Sequence, residues 1–545
     1  MQKQKEILSL LPSYFLILSF FLIKQDYINS YYKTHLFLFN ITFASLLIVQ
    51  LFIKKGKIII TPLEIYFHCA IIILIIITMG TFANYTDLAI IENFGLAIFL
   101  YFPIKNIIHF TAEKGKIELL TVIFLITVSL ILFKGILYST GNGIHGDMYN
   151  STYFSNYITL FIPLLNLIVI KKENKCHITF ATLIIFVIII INIFNHARAA
   201  TLTSLLYILI NNLHINLKKI RLVKITTFIL ILLPISAYLI ISKLNSVNGR
   251  LSIWQSCLEI FIAHPMGIGL GNLKEKLTIF QSLQMANWND KEKFLLADIN
   301  DYAFNDAIQF IVEGGCIILI ALIFISILVW KNKSLRAYIL YIFMLSSTTY
   351  ILHSQPTIIL IIITFLILNY NEKEIGVLKK NSFVYIPSVF VLLWSSLGLL
   401  SYVNKVHLEN TLLDRCLNAY RAMDNKYRFD IGMLDFEKKK YQNAIYILKN
   451  SGLLNQDINA NLAIGYSFEE LNQIDSAEKY YNNGNSLLPR IFKPKYFLFN
   501  LYKKNNDTIN LKRICLEIIN TPVKIKSAEI DSLQNIAHIE LIKIK

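Results

Sequence analysis

Two arginines pose the chemical question. Arg198 stands in NHARAA between two apolar runs, and Arg250 in NGRLSIW opens a long polar stretch. A guanidinium keeps its charge and forks two donors onto phosphate oxygens. Two of them on one side of a membrane would make an anion site that needs no metal. The plainer readings are a side chain that snorkels to the interface at Arg198 and a solvated loop charge at Arg250. Further along, AHPMGIGLGN carries glycines at 267, 269 and 271. A dinucleotide loop needs Gly-x-Gly-x-x-Gly between a strand and a helix. Here Asn272 fills the third glycine's place and IWQSCLEIFI before it reads as a helix, so the nucleotide reading is weak.

The elements that must position these residues are membrane spans. Of 545 residues, 55% are hydrophobic and 16% charged, and the mean hydropathy is +0.54, far from the usual soluble range. Apolar runs near the roughly 20 residues of a spanning helix recur at 7–23, 35–53, 64–81, 88–104, 117–138, 153–170, 178–194, 199–213, 225–241, 308–330, 337–352, 357–370 and 383–402, about thirteen in all. The first reads as a retained span and not as a cleaved signal peptide.

Lys plus Arg exceed Asp plus Glu by 52 to 35, a net charge of +17. On a soluble chain this would suggest nucleic acid; here the charges mark topology. Alternate loops hold Lys54, Lys55 and Lys57; Lys105, Lys114 and Lys116; Lys171, Lys172 and Lys175; Lys218, Lys219, Arg221 and Lys224; Lys331, Lys333 and Arg336; and Lys373, Lys379 and Lys380. The loops between them hold only Lys24, Lys33, Lys134 and Arg198. The positive-inside rule then places the N-terminus in the cytoplasm and the C-terminus outside. Six scattered cysteines lack metal or redox spacing; Cys416 and Cys515 could pair in an oxidising compartment.

Two stretches break the apolar pattern, a loop over 242–306 and a polar tail over 403–545, both on the outer side. In the tail, the window 458–491 places Ile464, Gly465, Phe468, Ala477, Tyr481, Gly484 and Pro489 at offsets resembling the tetratricopeptide repeat, a helical hairpin of about 34 residues. The expected architecture is all-α: a polytopic helical bundle over 1–402, then a periplasmic repeat-like helical solenoid of three or four hairpins. Such a solenoid offers a face to a protein partner; the alternative is a helical tail that only packs on the membrane region.

The stretch GRLSIWQSCLEIFIAHPMGIGLGN has Arg250, Trp254, His264, Pro265, Gly267 and Gly269 in the order Arg-x-x-x-Trp, then His-Pro-x-Gly-x-Gly. In DYAFNDAIQFIVEGG, residues Asn305, Gln309, Glu313 and Gly315 follow Asn-x-x-Leu-Gln-x-x-x-Glu-x-Gly, and GDMYNSTYFSNYITLFIPL sets Gly146 and Asn150 ahead of an apolar helix. With Arg198 at the start of another span, this set resembles the O-antigen ligase and polymerase superfamily over most of residues 1–402.

The resemblance implies a membrane glycosyltransferase that takes a glycan from undecaprenyl diphosphate on the outer face of the bacterial inner membrane, without a cofactor or metal. The acceptor hydroxyl would belong to lipid A core, to a protein or to another glycan chain, the last making the protein a polymerase. It implies catalytic roles at Arg198, Arg250, His264 and Glu313, and substrate contacts at Trp254, Gly267, Gly269, Asn305 and Asn150. Gly267 and Gly269 would give a tight turn that lets backbone approach closely.

One position departs from the pattern. Many ligases carry histidine before the asparagine of the second motif, whereas this chain has Phe304, which cannot accept a proton. A general base would then come from His264, from Asp298, Asp301 or Asp306, or from Glu313, which is expected to pair with an arginine. A non-catalytic scaffold that recruits glycan machinery through its tail is the other class of reading. A transporter would show an internal repeat and charges near mid-span, and neither is found apart from Glu313 near a span end.

Overall fold

The computed structural model describes residues 57–60, 117–140, 143–146, 150–171, 174–213, 244–285, 294–295, 297–331, 333–347, 349–368, 376–379, 386–403, 425–524 and 526–544, with isolated residues at 41, 95, 101, 104 and 105. The spans expected over 7–23, 64–81 and 225–241 lie outside these residues, as do those over 35–53 and 88–104 apart from the isolated positions. What is described is mostly helical.

Among the described residues three helices are long and apolar enough to cross a membrane: Ser151–Ile170, Lys175–Phe194 and Asp306–Leu328. Shorter apolar helices run over Thr121–Leu137, Arg198–Ile210, Leu335–Ser346 and Gln355–Leu368. Leu165, Ile188, Leu345 and Leu360 are buried where these helices meet, while Phe133, Phe186, Phe194 and Phe343 face outward. Apolar side chains on the outer surface suit a bundle whose solvent is lipid.

Two of the expected continuous spans are interrupted. The run over 153–170 turns at Leu160 and Phe161 before resuming as Ile162–Lys171. Pro163 has no N–H to return to the Thr159 carbonyl, and the Tyr341 hydroxyl donates to that carbonyl at 2.5 Å. The span over 308–330 belongs to a longer helix, Asp306–Lys331, which kinks at Gly315, with φ 68° and ψ −163°. Such freed backbone groups persist at membrane depth only when protein satisfies them.

A two-stranded antiparallel pair joins Lys57–Ile60 to Gly376–Lys379, with Lys57 opposite Lys379. Among the described residues, the loop over 242–306 includes the helices Leu244–Ala263 and Leu273–Met285. The described tail is a succession of helices from Asn425–Glu437 to Ala528–Ile544. Over 458–491 it forms a hairpin of Ile458–Glu470 and Ile474–Leu487. There Ala477 is fully buried, and a Cβ on Gly465 would lie 2.5 Å from the Tyr481 ring. Cys515 is a buried free thiol, and Cys416 lies outside the described residues.

Candidate functional site

The glycine loop closes the break in the kinked span. Its amides are committed: Gly267 N–H donates to the His264 carbonyl at 2.9 Å, Ile268 N–H to Val312 at 3.2 Å and Gly269 N–H to Glu313 at 2.9 Å. In return the Cys316 amide donates to the Pro265 carbonyl at 2.8 Å. Gly267, Gly269 and Gly271 all have positive φ. A Cβ on Gly267 would stand 2.5 Å from the Glu313 carbonyl oxygen, and one on Gly315 2.3 Å from the Met266 carbonyl carbon. The close backbone approach expected at these glycines is thus made by the span itself, and their N–H groups are not presented as a phosphate cradle.

Glu313 is fully buried two residues before the kink at Gly315. Its Oε1 accepts from Gly271 N–H at 3.2 Å and from Gln309 Nε2 at 3.1 Å. Gln309 Oε1 accepts from Ala303 N–H at 3.2 Å, and the Ala303 carbonyl accepts from the Trp254 indole at 2.9 Å. Trp254, Gln309 and Glu313 therefore form one hydrogen-bonded line from the Arg250 helix, Leu244–Ala263, to the kinked span. Burial first, and the charge of Glu313 next, push the Cys257 thiol up to about 12.

The two motif asparagines cap helices. Asn150 Oδ1 accepts from Thr152 N–H at 2.8 Å, and Asn305 Oδ1 from Ile308 N–H at 3.1 Å; each satisfies an orphan donor of a first turn. Asn195, which no motif pointed to, fixes the start of the Arg198 helix. Its Oδ1 accepts from Ile144 N–H at 2.8 Å, while Nδ2 donates to the Ile144 carbonyl at 2.7 Å and the Ser155 hydroxyl at 3.0 Å. His196 then takes a positive φ, and Arg198 opens the next helix, Arg198–Leu213.

The two arginines share one electrostatic environment. Burial first, and the charge of Arg198 next, pull the Arg250 guanidinium below its ordinary pKa. Both side chains are half-buried. The Arg250 guanidinium lies over the Phe304 ring, 5.7 Å from its centroid, a contact that a ring face supplies to a cation. Phe304 holds a positive φ of 52°, and its ring meets Tyr350 edge-on at 5.6 Å. Tyr350 in turn stacks on Tyr302 at 4.1 Å and meets Tyr153 at 4.6 Å.

Behind this cluster stands a pair that sequence reasoning missed. His353 Nδ1 lies 2.8 Å from Asp306 Oδ1, each side chain 1% exposed, and Leu352 N–H donates to Asp306 Oδ2 at 3.1 Å. The other candidate bases are distributed differently. Asp301 pairs with Lys274 at 2.6 Å, Asp298 pairs with Arg490 at 2.8 Å, and the His264 side chain is exposed where the Arg250 helix ends. Among the described residues no group of three His, Cys, Asp or Glu side chains could hold a metal ion.

Residues 156–323 match the model of a family described as O-Antigen ligase. Comparison with curated proteins gives no match, nor does comparison with solved structures. The matched segment takes in both arginines, Trp254, the glycine loop, Asn305 and the broken span, and stops short of His353 and the tail. It supports glycan transfer of the O-antigen ligase type by a membrane enzyme. Over residues 156–323, which carry both arginines and the kink at Gly315, the chain is similar to the O-antigen ligase family.

Proposed function

We propose that the protein transfers a glycan from undecaprenyl diphosphate to an acceptor hydroxyl on the outer face of the bacterial inner membrane, as an O-antigen ligase or a protein O-oligosaccharyltransferase. One observation carries the reading: the Arg250 guanidinium is half-buried over the Phe304 ring, near enough to half-buried Arg198 for the two charges to bear on each other. Like charges brought together out of water cost free energy, and an anion that binds between them relieves it. A diphosphate suits that place.

In the transfer the acceptor oxygen bonds to the anomeric carbon, and the bond from that carbon to the diphosphate oxygen breaks. The diphosphate keeps the electron pair and remains on the lipid, and the hydroxyl proton passes to a base. Negative charge grows on the leaving group, so donors fixed in advance favour the transition state over the ground state. Arg198 and Arg250 are those donors. Phe304 lies under the Arg250 guanidinium, 5.7 Å from ring centroid to Cζ.

The topology follows the positive-inside pattern, with the transfer site and tail in the periplasm. The pairing of Lys57–Ile60 with Gly376–Lys379 supports it, because two lysine-rich loops assigned to the cytoplasm meet. The tail over 403–545 is read as a solenoid of tetratricopeptide type, supported by the hairpin over 458–491. It favours an acceptor that is a protein or is presented by one.

The test compares wild type, a deletion strain and an Arg250→Ala strain on gels that display lipopolysaccharide and glycoproteins together. Arg250→Ala is expected to reproduce the deletion, and the missing band names the acceptor. Products limited to single repeats would identify a polymerase. A wild-type pattern for Arg250→Ala beside a defective deletion would make the protein a scaffold.

A further inference from the structure

The tail grips the loop that holds Arg250. Asn455 Nδ2 donates to Glu275 Oε1, in the first turn of the loop's second helix, at 2.9 Å. At the far end of that helix, Met285 is buried with Ala297 and Leu488, and Ile458 and Ile491 pack against them. Beside this apolar seam Arg490, its side chain 10% exposed, places Nη2 2.8 Å from Asp298 Oδ2. Its Nε donates to the Ala297 carbonyl, and Lys524 stands 4.0 Å from the same carboxylate oxygen. An isolated surface ion pair contributes little. This one is joined to a backbone carbonyl and flanked by buried apolar contact, which fixes its geometry.

The gripped segment leads directly to Arg250. From Asp298 the chain runs to Ala303, whose carbonyl holds the Trp254 indole, and to Phe304, whose ring lies under the Arg250 guanidinium. Its other end is fixed by the kinked span, through Gln309 on the Ala303 amide and the Asn305 cap. Between the two anchors Phe304 keeps a φ of 52°. A bulky residue holds that conformation only when its surroundings over-determine it. Free one anchor and the strain relaxes, carrying the ring away from the guanidinium.

We propose that Arg490 and Asp298 are positioning residues for the transfer site: the tail holds the segment whose Phe304 seats Arg250. The proposal rests on Arg250 meeting the donor diphosphate. It makes the tail part of the site's framework, beyond any role in presenting an acceptor.

The test uses the full-length protein added to membranes of a deletion strain, whose accumulated native lipid-linked glycan is the donor. Initial transfer rates are measured over a range of donor, with protein amounts matched by immunoblot. Because small misplacements of a reacting group cost one to two orders of magnitude, Arg490→Ala is expected to lower the saturated rate about tenfold and to leave the half-saturating donor level nearly unchanged. Arg490→Lys and the exchange Asp298→Arg with Arg490→Asp should recover most of the rate. In an Arg250→Lys background, Arg490→Ala should add less than about twofold, since both changes act on one interaction.

An unchanged rate in Arg490→Ala overturns the proposal. So does a full tenfold loss on top of Arg250→Lys, which would show that the tail supports folding and not Arg250. Wild-type rates in both Arg250→Lys and Arg250→Ala would remove the arginine reading itself, and this proposal with it, whatever Arg490→Ala does.

Discussion

Gly267 and Gly315 pack backbone against backbone, with no room for a side chain on either. The added Cβ would come within 2.5 Å of backbone at Gly267 and 2.3 Å at Gly315. Gly315, with φ 68° and ψ −163°, occupies a region open in practice to glycine alone. Gly315→Ala is therefore expected to cost more than about 3 kcal/mol, combining backbone strain with overpacking. The measurement is the amount of membrane-inserted protein that survives extraction and mild heating, which should fall below half of wild type.

Glu313 acts as an acceptor for the loop. Its Oε1 is shared by Gly271 N–H and Gln309 Nε2. Glu313→Gln keeps a carbonyl oxygen for both donors, whereas Glu313→Ala leaves buried donors unmet at about 1–3 kcal/mol each. Thermal inactivation should rank wild type above Glu313→Gln, and Glu313→Gln well above Glu313→Ala.

Tyr341 replaces the hydrogen bond that Pro163 cannot make, its hydroxyl donating to the Thr159 carbonyl at 2.5 Å. Tyr341→Phe keeps the ring and removes the donor, so its expected cost is about 1–3 kcal/mol from the unmet buried carbonyl. The change should appear as earlier thermal inactivation in membranes.

The Asp306 and His353 side chains are buried against each other. Removing one partner leaves the buried polar atoms of the other unmet, at about 1–3 kcal/mol. His353→Ala should therefore lower the folded protein far more than Asp301→Asn, whose partner Lys274 sits at the surface. Quantitative immunoblots of the two variants check the ranking.

The legible parts of this protein are those whose signal is local. Alternating lysine-rich loops and apolar runs announce a membrane bundle, and the order Arg250, Trp254, His264, Pro265, Gly267, Gly269 marks the loop. What sequence cannot carry is which element receives that loop: Gly315 closes the second motif, yet its φ and its contact with the loop backbone appear only once the loop is docked. Asn150 and Asn305 were recognisable through their motifs, yet their side-chain oxygens serve helix starts. His353 is 47 residues from Asp306, beyond any spacing rule. Arg490 follows Pro489 at the close of a hairpin, where nothing nearby hints at Asp298.

The central claim is that Arg250, held beside Arg198 and over Phe304, stabilises the departing lipid diphosphate. The most direct measurement is the saturated transfer rate of full-length Arg250→Ala with native lipid-linked donor, at protein levels equal to wild type. Loss of one fixed donor to a developing oxyanion typically costs about a hundredfold to a thousandfold. A fall of at least about a hundredfold, with the variant still folded, is the result this account predicts. A rate within about twofold of wild type would contradict it, because transition-state stabilisation cannot be removed without loss of rate.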